Sequence, residues 1–83
     1  LALGQNIPNP VSDETTISYS PIPTDHMILK IYDVNGYNTD MQLLKVGQTS
    51  SKINVSNGKL GIYYYNISDS KTSGLPRKMI VIK

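Results

Sequence analysis

The chain has 83 residues, with eight Lys and Arg against six Asp and Glu, one His, and no Cys. That length makes one domain, which hides only about 60–65% of its unfolded surface, and the lack of Cys excludes disulfide staples and thiolate metal sites. The net charge of +2 is scattered, and Arg77, Lys78 and Lys83 are its nearest approach to a patch, so the basic stripe that nucleic acid requires is missing.

Leu1-Ala2-Leu3-Gly4-Gln5 has neither the basic region nor the long apolar region of a signal peptide. A start without Met is what a piece of a longer chain would show, and no apolar run reaches the roughly 18 residues of a membrane span. In Gln5-Asn6-Ile7-Pro8-Asn9-Pro10 the prolines fix φ and push their predecessors into extended backbone, so residues 1–10 read as a stiff, extended linker and residues 11–83 as the folded domain. Thr15-Thr16-Ile17-Ser18-Tyr19-Ser20 alternates, with Ile17 and Tyr19 on one face of a first strand. Pro21 and Pro23 end it. Residues 27–32 make a second strand with Met27, Leu29 and Ile31 in register. Asp33-Val34-Asn35-Gly36 is a tight turn, with Gly36 supplying positive φ. Residues 41–46 form a third strand whose broken alternation points to an edge or a bulge. A polar turn over residues 47–51 leads to a fourth strand over residues 52–55, with Ile53 and Val55 inward.

Leu60-Gly61-Ile62-Tyr63-Tyr64-Tyr65-Asn66-Ile67 follows the turn dipeptide Asn57-Gly58, with Gly61 as a second structural glycine. Three aromatics, two β-branched residues and no Pro make it the central strand. Asn66 is ill suited to a core without a partner, which turns Tyr63, Tyr65 and Ile67 inward. Residues 69–76 are the longest polar loop, expected to be a mobile hairpin tip. Residues 77–83 close the chain as a strand with four consecutive apolar residues. No helical period occurs, and six or seven short strands at this spacing predict an antiparallel sandwich of two sheets.

Catalytic chemistry finds little to work with. His26, the one histidine, lies beside Asp25 in a proline-rich turn, and this adjacency is no triad. Asp13, Glu14, Asp25, Asp33, Asp40 and Asp69 fall in turns or at strand ends, the usual place for solvated carboxylates. Asp33-Val34-Asn35-Gly36 is only a fragment of a calcium loop. Asn54-Val55-Ser56 and Asn66-Ile67-Ser68 match a glycosylation sequon, a short and chance-prone pattern. A tyrosine row could stack on sugar rings, yet Tyr19, Tyr32, Tyr63 and Tyr65 are accounted for as core or cross-strand pairs, leaving Tyr37 and Tyr64 as the exposed candidates.

Read in order, Leu3-x-Gln5-Asn6-x-Pro8-Asn9-Pro10, Thr16-Ile17-x-Tyr19, Leu29-Lys30-Ile31-Tyr32-Asp33-x-x-Gly36, Leu60-Gly61-Ile62-Tyr63-Tyr64-Tyr65 and Lys78-Met79-Ile80-Val81-Ile82-Lys83 resemble the type A C-terminal sorting domain of the type IX secretion system. The likeness runs over nearly the whole chain, at family spacing. It implies an immunoglobulin-like antiparallel β-sandwich of about seven short strands, without enzymatic activity or cofactor. Such a domain lies at the C-terminus of a larger cargo protein of a Gram-negative bacterium, passes through the periplasm, and is recognised by the outer-membrane type IX translocon. A sortase-like protease then removes it, and the cargo ends at the cell surface or is secreted. On this likeness Lys78, Met79, Ile80, Val81, Ile82 and Lys83 carry the recognition, and Pro8, Asn9 and Pro10 mark the domain start. Residues 37–46 lack the expected Gly-x-Leu-Val pattern, and the Pro21-Ile22-Pro23 turn is richer in proline than the family norm.

A terminal edge strand would present unpaired N–H and C=O groups to a receptor strand, with Lys78 and Lys83 steering the approach. The same edge leaves self-association through the terminal strand open. The alternative reading is an adhesive or carbohydrate-binding module appended to a secreted enzyme, and it requires Tyr37 and Tyr64 on one exposed patch.

Overall fold

The computed structural model describes residues 2–56 and 58–82. Asn57 of the expected Asn57-Gly58 turn and the terminal Lys83 lie outside the described residues. Six strands follow in chain order: β1 (Glu14–Ser18), β2 (Ile28–Asp33), β3 (Asn38–Leu43), β4 (Ser50–Asn54), β5 (Gly61–Ser68) and β6 (Arg77–Val81). They form two antiparallel sheets, β1-β4 and β3-β2-β5-β6. The protein is the all-β sandwich that the sequence pattern predicts, and among the described residues there is no helix.

Period-2 alternation decides which side chains meet. Ile17 and Ile53 come from the small sheet, and Leu29, Ile31, Tyr65, Ile67, Met79 and Val81 from the large one; all are buried in one cluster. Tyr65 is fully buried and Ile67 nearly so, with Tyr63 packed on the margin of the core. The inward face of β5 is therefore the one expected. Tyr19 is buried too. Its hydroxyl lies 2.7 Å from Ser51 Oγ, and burial raises the phenol pKa against the pull of hydrogen bonds from Ser51 and Gln48.

Two local readings shift. β3 covers residues 38–43 rather than 41–46, because Leu44 leaves the strand to enter the core and Val46 is exposed. β3 is nonetheless an edge, and its register against β2 slips between Ile31 and Tyr32. The loop over residues 69–76 is stitched by hydrogen bonds: Asp69 Oδ1 accepts the Lys71 and Thr72 amides, and Gly74 N–H donates to Ile67 O. These bonds hold the Asp69 carboxyl below its ordinary pKa. The turn into β3 is as expected, with Gly36 at φ +84 and Asp33 Oδ1 accepting the Asn35 and Tyr37 amides. Gly61 opens β5 at φ +142.

The place of a seventh strand is taken by the lead-in, residues 2–11. Its first part runs antiparallel to β1 through bridges Leu3–Tyr19 and Ile7–Thr16. Gly4 comes so close that a Cβ there would sit 2.8 Å from Ser18 O. The peptide bonds before Pro8 and Pro10 are both cis. Beyond them Val11 forms a parallel bridge to Val81, so one segment edges both sheets.

Candidate recognition surface

The sequence singles out the last strand, and β6 does lie at one border of the large sheet. Alternation splits its side chains. Met79 and Val81, 1% and 2% exposed, reach into the core. Lys78 is exposed, Ile80 is half-buried, and the following Ile82 is half exposed. The run of apolar residues is thus one strand with two differently employed faces.

The backbone border of β6 is not free, and this corrects the strand-addition expectation. Ile80 N–H donates to Asn9 Oδ1 at 2.9 Å, and Ile80 O accepts Val11 N–H at 2.8 Å. Ile82 N–H donates to Val11 O at 2.8 Å, and Lys78 O accepts Gln5 Nε2 at 2.7 Å. A side-chain amide and a short stretch of extended backbone have satisfied the groups that an incoming strand would use. The signal for this closure was Asn9 between two prolines, a residue able to offer a side-chain acceptor where the chain itself cannot pair.

The lead-in is fastened by the core as well. Tyr65 Oη accepts Asn6 N–H and donates to Gly4 O, both at 2.8 Å. Burial pushes this phenol above its ordinary pKa, while the Asn6 bond and the Arg77 charge pull it part of the way back. Asn6, itself buried, donates through Nδ2 to Pro8 O and Thr15 Oγ1. Arg77 Nε reaches Leu3 O at 2.6 Å. Pro8, Asn9 and Pro10 therefore sit between the two sheets' borders, next to the strand whose residues were singled out with them.

The outward face of the large sheet holds what the sequence reading missed. Tyr32, Tyr64 and Lys78 are successive cross-strand partners, and Ile62 pairs with Ile80. Lys30 lies between Met41 and Asn66. The parity signal was present, since Tyr32 is two residues from Lys30 and shares its face, not that of Leu29 and Ile31. Asn66, on this same face, is buried; its Nδ2 donates to Gly74 O of the loop, and its Oδ1 has no partner among the described residues. Burial leaves the Asn66 sequon no accessible acceptor.

Elsewhere the chemistry is sparse. His26 Nε2 and Asp25 Oδ1 lie 3.5 Å apart, both solvent-exposed. A cavity of about 210 Å³ opens between the sheets beside Thr39 and Asn54, with Ile31, Ile53 and Met79 in its wall. Among the described residues no three His, Cys, Asp or Glu side chains gather.

No curated protein and no solved structure matches the chain significantly. The family model described as the secretion system C-terminal sorting domain matches residues 6–83, a span that begins at the buried Asn6 tying down the lead-in and takes in all six strands. The chain belongs to the type IX secretion C-terminal sorting domain family.

Proposed function

We propose that this domain is a non-catalytic sorting signal that directs a larger cargo through the outer-membrane type IX translocon, and that a sortase-like protease then removes it. The family supplies the general role, a C-terminal signal for export to the cell surface or beyond in Gram-negative bacteria. On this reading the cargo lies upstream and transit runs through the periplasm. Residues 1–10 lead into a sorting domain over residues 11–83.

The observation that carries the reading is how β6 is built. Met79 and Val81 anchor it in the core, the lead-in closes its backbone, and Lys78, Ile80 and Ile82 stay outward. Recognition at residues 78–83 then works through side chains, with Lys78 and Ile80 displayed on the strand. Pro8, Asn9 and Pro10 serve it by holding that strand in place.

Deleting residues 78–83 is an ambiguous test, because it removes two core side chains. The better test fuses residues 1–83 behind a signal peptide and a fluorescent reporter in a type IX-competent host, and compares Ile80→Asp and Lys78→Glu with the parent. Surface fluorescence should fall and periplasmic fluorescence rise. Unchanged delivery in both variants would sink the proposal.

A further inference from the structure

We infer that the recognised unit is the whole outward face of the large sheet, centred on the Tyr32–Tyr64 pair, and that its partner is a protein surface with carboxylates around an apolar centre. This rests on the sorting reading and names the partner's chemistry. Tyr32, Tyr64 and Lys78 form one row across β2, β5 and β6, with Ile62 and Ile80 paired below it and Lys30 beside it on β2. Tyr64 and Ile62, on the interior strand β5, are each 37% exposed. Amphipathic aromatic rings on a rigid support are the residues that dominate interface energetics.

Charge selects the occupant. None of the outward residues of the four strands is Asp or Glu. Asp33 Oδ1 is engaged by the Asn35 and Tyr37 amides, Asp40 Oδ1 by the Met41 amide, and Asp69 Oδ1 by its own loop. The one ion pair among the described residues is Asp25 with His26, away from this face. Lys30 and Lys78 thus flank the aromatic pair with no carboxylate of their own. Covering them with a purely apolar partner would strip their water without replacement, which is costly. A second copy laid face to face would bring no carboxylate to either lysine. Two ammonium groups are also too few for a polyanion, whose affinity comes from many released counterions. A partner with acidic groups outside an apolar centre satisfies both features and gains association rate from the charges.

The experiment uses the same reporter fusion, with Lys30→Glu and Tyr64→Ala as arms and Lys30→Arg as the conservative control. Lys52→Glu, on the exposed side of β4 in the other sheet, controls for net charge, and thermal melts of the 83-residue chain control for folding. Lys30→Glu and Tyr64→Ala should each lower surface delivery about tenfold, the scale of one lost charged or aromatic contact. Lys30→Arg and Lys52→Glu should deliver normally, and every variant should keep a cooperative melt. If Ile80→Asp blocks delivery while Lys30→Glu and Tyr64→Ala do not, the face inference is overturned and the sorting reading stands. If none of these variants affects delivery, both fall. Loss with Tyr64→Ala alone would fit a neutral glycan stacked on the rings and would overturn the acidic partner. Equal loss with Lys52→Glu would reduce the effect to net charge and overturn it as well.

Discussion

Tyr65 does two jobs with one side chain: the ring fills the core, and the hydroxyl holds the lead-in through Asn6 N–H and Gly4 O. Tyr65→Phe keeps the ring but leaves that donor and that acceptor unmatched. It should cost about 1–3 kcal/mol, read as a lower urea midpoint with an unchanged slope. The inward placement of Tyr65 was legible because Asn66 beside it makes a poor core residue. The hydroxyl's partners were not, since they lie 59 and 61 positions away and no local pattern encodes such a pairing. Asp69 gives the residue scale its pH signature. Hydrogen bonds from the Thr72 and Lys71 amides lower its folded pKa, so its contribution is full above the unfolded carboxylate pKa and fades as pH falls through the folded one. In an NMR titration Asp69 should protonate below the ordinary Asp value of about 3.9. A midpoint at or above that value would mean that the loop is not stitched in solution.

Among the elements, β6 shows how one strand serves two masters. Met79→Ala should destabilise the chain by about 2–5 kcal/mol, the usual result of emptying a core site, whereas Ile80→Ala, on the outward side, should cost less than half as much. Chemical unfolding of the two variants checks this, and equal losses would contradict the alternation. The lead-in has its own test. Gly4→Ala forces a methyl against Ser18 O, so it should part residues 2–7 from β1 and raise exchange of the Thr16 amide, which donates to Ile7 O. Strands with one buried face were readable to within two residues at their starts. β3 was not, because nearly all of its side chains are exposed and no core imposes a period on them. The lead-in read as a linker because prolines hide the pairing that Asn9 and Val11 accomplish.

For the molecule as a whole, first and last segments share one border: Leu3 O meets Arg77, Gln5 meets Lys78 O, and Val11 pairs with Val81. Deleting residues 78–83 removes Met79, Val81 and the lead-in's partner together, a loss comparable to the roughly 5 kcal/mol that holds a small domain folded. The shortened chain should lack a cooperative melt, and a sharp transition in calorimetry would refute the interlock. The all-β class and its two-sheet sandwich were legible from turn spacing and alternation, and the family from five motifs in order. The proposed recognition surface was only partly so. Residues 78–83 were conspicuous as a run, while Lys30, Tyr32 and Tyr64 become neighbours of that run only after β2 and β5 pair.

The course of the lead-in also sets how the domain meets mechanical load. Residues 2–7 lie antiparallel to β1, while Val11 runs parallel to β6. A tether attached ahead of Ala2 and drawn away from the sandwich would strip the bonds to β1 singly, like a zip. Past them the load reaches the bonds that join Asn9 and Val11 to Ile80 and Ile82. Traction from upstream would therefore be met by the lead-in before it reaches the terminal strand.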